Sequence, residues 1–232
     1  MQQQRLDKKA KHVIQNAQRK VSEIYQDSPK EELASAITHG IAIVLSIWAL
    51  VEMLYVVEDQ NTKKLISVWV FGLSMILVYT FSTLLHIFYN HKLTYIFLLL
   101  DHAAIFVLIA GTYTPYTLIT LEKSEGLYLL TFVWAFALGG ILYKVFLLNR
   151  YKRFSLMLYL FLGWLGALKY EELSNHLGEG FDWLLIGGAL YSIGVVFYVW
   201  RKLPYNHAIW HIFVIGGNFA IFYSVYAYVL LR

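Results

Sequence analysis

Long apolar runs separated by short polar stretches dominate this chain. Seven runs can be marked, at 35–57, 66–88, 94–119, 127–148, 154–168, 183–200 and 207–231. A helix that crosses a membrane needs about 20 residues, with a range of roughly 17–25. The fifth and sixth runs are therefore the shortest candidates. The polar connections are brief, so neighbouring helices are expected to be antiparallel. The pattern predicts an all-α, polytopic membrane protein with seven transmembrane helices over 31–232, preceded by a separate polar segment at 1–30. In that segment Ala10, Ile14, Ala17, Val21 and Ile24 recur at helical spacing, and Lys8, Lys9, Lys11, Arg19 and Lys20 surround the stripe. This predicts a basic amphipathic helix resting on the inner membrane surface. No apolar core follows the early charges, so no cleavable leader is expected. Ser28-Pro29-Lys30-Glu31 reads as a helix start, with serine at the N-cap, proline at the first helical position and glutamate closing a capping box.

Composition supports a membrane class. Of 232 residues, 59% are hydrophobic and 15% charged, against about 25% charged in soluble domains. Seven Trp, eighteen Tyr and fifteen Phe match the aromatic enrichment of membrane–water interfaces. There is no cysteine, which excludes disulfides and thiolate metal sites. The net charge of +4 bears on topology and does not indicate a nucleic-acid partner.

Positive residues orient the chain. With a cytoplasmic N-terminus, inner segments hold thirteen Lys and Arg: seven up to Lys30, then Lys92, Arg150, Lys152, Arg153, Arg201 and Lys202. Outer segments hold five: Lys63, Lys64, Lys123, Lys169 and Arg232. The positive-inside rule then places the N-terminus in the cytoplasm and the C-terminus outside. That orientation brings several ionisable residues to one depth. His86 falls at the inner end of the second run, Asp101 about two turns into the third, and His207 and His211 in the first two turns of the seventh. His39 is at the inner end of the first, with Glu32 seven residues before it on nearly the same face. His207 and His211, four apart, share a helix face. Ionisable side chains in membrane spans are costly and tend to be functional. Imidazoles suit zinc, and a catalytic zinc site has three protein ligands and an open position. His86, His207 and His211 are the candidate ligands. Asp101 is a candidate to hydrogen-bond water or a ligand histidine, and Ser82, one turn before His86, can join it. His102 diverges from Asp101 by about 100° around the helix and reads as a packing or supporting residue.

These motifs resemble a known family. Ser82-x3-His86, Asp101 and His207-x3-His211 resemble the metal site of the progestin and adiponectin Q receptor family. Glu32 to His39-Gly40, the run Asp101-His102-Ala103-Ala104-Ile105 with Ala110-Gly111-Thr112-Tyr113-Thr114-Pro115, and His207-Ala208-Ile209-Trp210-His211 resemble its bacterial hemolysin III branch. The resemblance covers roughly residues 30–230. It implies a seven-span, multi-pass protein of the bacterial plasma membrane, with zinc held near the cytoplasmic face by three histidines and Asp101 positioning the water there. It also implies a membrane-lipid substrate and a link to membrane-lipid homeostasis. One departure is visible: relatives often carry a further histidine about ten residues past the second one, where this chain has Ile221, with Asn218 the nearest polar group. Three functions stay open. One is a zinc-dependent, ceramidase-like hydrolase of lipid amide or ester bonds. Another is a non-enzymatic membrane sensor or regulator with structural zinc. The third is a hemolysin-like cytolytic protein.

Overall fold

The computed structural model describes residues 28–57, 61–121, 123–147 and 152–231. The expected amphipathic helix of the N-terminal segment lies outside the described residues. Among the described residues eight α-helices follow in order: α1 Pro29–Tyr55, α2 Thr62–Ile87, α3 Thr94–Pro115, α4 Lys123–Leu147, α5 Lys152–Trp164, α6 Tyr170–Leu177, α7 Glu179–Val199 and α8 Asn206–Val225. Helices α3 and α8 end in π-helical turns at Tyr116–Thr120 and Tyr226–Leu230. Six of these elements, α1, α2, α3, α4, α7 and α8, are long and apolar enough to cross a membrane. The capping box forms as expected: Ser28 accepts from the Glu31 amide, and Glu31 accepts from the Ser28 amide.

The first helix shows how the chain sorts its residues in lipid. Leu33, Ile37, Ile41, Val44, Trp48 and Val51 lie on its exposed face. Its buried face carries Glu32, Ser35, Ala36, His39, Ala42 and Ser46. Large apolar side chains point out and small or polar ones point in. That arrangement suits a helix whose outer solvent is hydrocarbon, because lipid tails supply no driving force for burying leucine. Close approach needs small residues at particular places. A Cβ added to Gly111 would run into Ser74 of α2, and one added to Gly140 would run into the buried Phe106 ring, whereas Gly139 faces open space. Only one residue of the Gly139-Gly140 pair is therefore a packing position.

The run at 154–168, expected as the fifth span, differs from the others. Its α-helix has 13 residues and passes into a 3₁₀ segment at Leu165–Lys169 before α6. The break has a visible cause. The Tyr113 hydroxyl donates to the Leu162 and Gly163 carbonyls at 2.9 and 2.8 Å, and accepts from the Gly166 amide at 2.7 Å. Backbone groups freed from α-helical pairing must find partners where water is scarce, and one tyrosine on α3 supplies them. In sequential order α1, α2, α3 and α4 pack side by side, and α8 closes against both α7 and α1. The residues expected at one depth are thereby brought to one end of the bundle.

A candidate metal centre at one end of the bundle

Two helices supply the histidines. His86 sits in the last turn of α2, while His207 and His211 open α8. The start of α8 is fixed from two sides. Tyr205, in the left-handed conformation with φ 57°, donates its amide to Glu31 Oε1 at 2.9 Å. Asn206 donates from Nδ2 to the Phe197 and Tyr198 carbonyls at the end of α7. Glu31 thus serves its own helix cap and the entry to α8 together. Only the first of these roles carries a local sequence signal.

One nitrogen from each of His86, His207 and His211 lies within 4.8 Å of the other two, so the three could hold one metal ion. The rings meet edge-on. Centroids of His207 and His211 are 4.7 Å apart at 83°, those of His86 and His207 4.8 Å apart at 86°, and those of His86 and His211 5.1 Å apart at 67°. Steep mutual angles let nitrogens converge on one point. His39 does not converge: its ring stacks on His211 at 3.4 Å and 14°. Parallel rings send their nitrogens in parallel directions, so His39 backs the cluster without joining it.

Each of two ligand candidates is oriented through its other nitrogen. His86 Nδ1 donates to Glu32 Oε2 at 2.7 Å, with both side chains buried. His211 Nδ1 lies 3.1 Å from Thr38 Oγ1 and 3.3 Å from the Ser35 carbonyl. The Thr38 hydroxyl already donates to Ser35 at 2.9 Å, so the hydrogen between Thr38 and His211 belongs to Nδ1. That tautomer leaves a lone pair on His211 Nε2, which is buried with no hydrogen-bond partner among the described residues. An orphaned buried nitrogen is costly, and a metal ion would satisfy it. The donor set, three imidazoles without a thiolate, fits zinc. Oriented imidazoles of this kind are typical of metal sites. We expect Glu32→Gln to weaken metal affinity by about 10–100-fold while leaving the three histidines in place. A competition titration against a chelator of known affinity measures it.

The remaining candidates are accounted for by position. Asp101 on α3 is buried and accepts a hydrogen bond from Ser82. Ser82 lies one turn before His86, as its spacing predicts. His102 Nδ1 donates to the Leu98 carbonyl at 2.7 Å and stands 3.9 Å from Asp101 Oδ2. Ile221 is buried against Gly187. At that level Asn218 bridges Tyr79 and Tyr191, so an amide provides the polar link there. Thr38, the Ser35 carbonyl and Lys144 belong to the site or its surroundings without having been singled out in the sequence. Thr38 and Ser35 were discoverable only by their place on the same helix as His39.

A cavity of about 230 Å³ opens from this cluster into the bundle. Asp101, His102 and His207 line its near end, and mostly aliphatic and aromatic side chains such as Leu108, Ile109, Leu184 and Val214 line the rest.

Comparison with known proteins bears on the family resemblance of the motifs. The family model described as "Haemolysin-III related" matches residues 28–222. The chain is 47% identical over 203 residues to "Hemolysin-3" of Bacillus cereus, covering 87% of this chain and 93% of that protein. It is also 47% identical over 201 residues to "Hemolysin-3 homolog" of Bacillus subtilis (strain 168), covering 86% and 94%. A more distant relative is "Monocyte to macrophage differentiation factor" of Homo sapiens, 29% identical over 210 residues, covering 88% and 87%.

Proposed function

This chain belongs to the haemolysin-III related family, and on that premise we propose that it is a zinc-dependent hydrolase of an acyl amide or ester bond in a membrane lipid. One observation carries the reading: three edge-on histidines converge beside a buried carboxylate at the mouth of an apolar cavity. His86, His207 and His211 hold the zinc, and Glu32, Ser35 and Thr38 fix two of those rings. Zinc bound there supplies a Lewis acid and lowers the pKa of water. Asp101 is the proton acceptor, and Ser82 holds its carboxylate in place. The apolar cavity receives the acyl chain and keeps water from its length. His39 and His102 are supporting residues.

A lipid substrate follows from where the site is. Its place among six membrane-length helices, against a mostly apolar cavity, suits a lipid better than a soluble substrate. The test is fatty-acid release by zinc-loaded protein from ceramides, phospholipids and simple acyl esters. Release from at least one class supports the reading. Full zinc with no release from any of them replaces it with the regulator, in which zinc ties α2 to α8 and the same ligands serve structure alone. The hemolysin in the relatives' names describes those proteins. A chain built of membrane-length helices suits an integral protein better than a released toxin, and fractionation distinguishes the two.

The topology belongs to the same proposal: seven crossings in the bacterial plasma membrane, with α5 and its 3₁₀ extension as the short fifth. The N-terminus is cytoplasmic and the C-terminus external, by the charge asymmetry of the connections. A C-terminal fusion to a reporter active only outside the cytoplasm should therefore work. Activity only from a cytoplasm-dependent reporter contradicts it.

A further inference from the structure

His39 has polar atoms that the chemistry described so far leaves unused. It is 2% exposed, and both of its ring nitrogens are buried with no hydrogen-bond partner among the described residues. Other helical histidines of this chain avoid that state. His102 and His176 each donate from Nδ1 to the carbonyl four residues back, on Leu98 and Glu172, at 2.7 Å. The carbonyl four residues before His39 belongs to Ser35, and it already accepts from Thr38 and lies against His211 Nδ1. The neighbouring rings offer His39 packing and no acceptor. His211 covers one face at 3.4 Å. Tyr79 meets the ring at 5.0 Å and 64°, and its hydroxyl is engaged by Asn218, which Tyr191 holds in turn. The rest of the His39 ring forms part of the cavity wall.

An imidazole carries at least one N–H in every protonation state. A buried donor without an acceptor is costly, so this hydrogen suits an acceptor that enters with a ligand. The stack on His211 fixes where that acceptor lies. With the two ring planes 14° from parallel and their centroids 3.4 Å apart, an atom bonded to a His39 nitrogen lies beside the His211 ring. His39 therefore serves the same small space as the three converging nitrogens, with the apolar cavity beyond it. In an acyl lipid whose chain fills that cavity, the oxygen reaching this space is the carbonyl oxygen. Charge builds on that atom during hydrolysis, and a fixed N–H beside it is a strong stabiliser of such charge.

We propose that His39 donates its N–H to the acyl carbonyl oxygen of the lipid held in the cavity. As water adds to the carbonyl carbon, one C=O electron pair moves onto that oxygen and Asp101 takes the proton the water loses. His39 keeps its hydrogen throughout. When the pair returns, the C–N or C–O bond to the leaving group breaks, and the proton passes from Asp101 to that group. This proposal rests on the hydrolase reading for the presence of the carbonyl, but the hydrogen bond can be measured without turnover.

Two uncharged probes that cannot be hydrolysed test it: a long-chain methyl ketone, and the matching alkene in which C=CH2 replaces C=O. Trp164 and Trp210 line the cavity, so the change in intrinsic fluorescence reports binding to the full-length protein as purified, in neutral detergent. Wild type should bind the ketone more tightly than the alkene. His39→Phe keeps a ring to stack on His211 and removes both nitrogens. It should cut the preference for the ketone by about 3–10-fold, the usual net worth of one hydrogen bond, with zinc content unchanged. The infrared band of the bound, isotope-labelled carbonyl should be lowered in wild type and move up in His39→Phe. A preference and a band equal in the two proteins overturn the proposal, as does loss of zinc from His39→Phe, which would make His39 a ligand. If His39→Phe does not fold, the wild-type band still decides, since a carbonyl stretch unshifted from that in detergent alone is fatal. A His39-dependent preference without fatty-acid release from any lipid refutes the hydrolase alone. Fatty-acid release without a His39-dependent preference refutes the His39 contact alone.

Discussion

Replacing His211 with alanine should strip the protein of most of its zinc. Changing a residue that merely orients a ligand costs about 10–100-fold in affinity, so losing a ligand costs more. The His211 ring is held from several sides. Its Nδ1 is engaged by Thr38 and the Ser35 carbonyl, its face is covered by His39, and its Nε2 has nothing else to do. Alanine also removes the stacking partner of His39, so a drop in melting temperature is expected beside the metal loss. The two effects separate on adding a chelator to wild type, which removes the metal and leaves the stack. Metal analysis of purified wild type and variant measures the first effect. Full zinc in His211→Ala would mean that the metal sits elsewhere.

The second large effect falls on chemistry. Asp101→Asn should retain the fold and most of the zinc, because asparagine fills the same space and still pairs with Ser82. It should lower lipid hydrolysis by about 10²–10⁴-fold, the usual contribution of a positioned general base, because an amide cannot accept the proton. Measuring zinc content, melting temperature and fatty-acid release together distinguishes three roles. Retained zinc with lost hydrolysis marks a proton acceptor. Lost zinc marks a residue that holds the metal. Unchanged hydrolysis removes Asp101 from the mechanism. A structural zinc site predicts lower thermal stability in the variant and no activity to lose.

The parts of the site that were legible in the sequence are those that depend on one helix at a time. His207 and His211 share a face because they are four apart, and Ser82 and His86 likewise. Glu32 and His39 are both buried on α1, as their separation of seven predicts. The common depth of His86, Asp101 and His211 followed from run boundaries and charge. What spacing could not decide was which of these residues converge. Glu32 and His39 have equivalent helical positions, yet one holds His86 Nδ1 and the other stacks on His211. That difference depends on the rotation of α1 against α2 and α8, which no single-helix pattern contains. Lys144 shows the same limit, since near a run's end it resembles any interfacial lysine until the packing of α3 and α5 encloses it. The interruption after Trp164 was foreshadowed by a short run alone, and its cause, Tyr113, lies about 50 residues away in sequence.

The most direct test of the account is X-ray absorption at the zinc edge on purified wild-type protein. The account predicts one zinc per chain with three imidazole nitrogens at about 2.0–2.1 Å. Such a sphere leaves a position that protein does not fill. Zinc without imidazole ligands, or zinc closed by a fourth imidazole from His39, would contradict it.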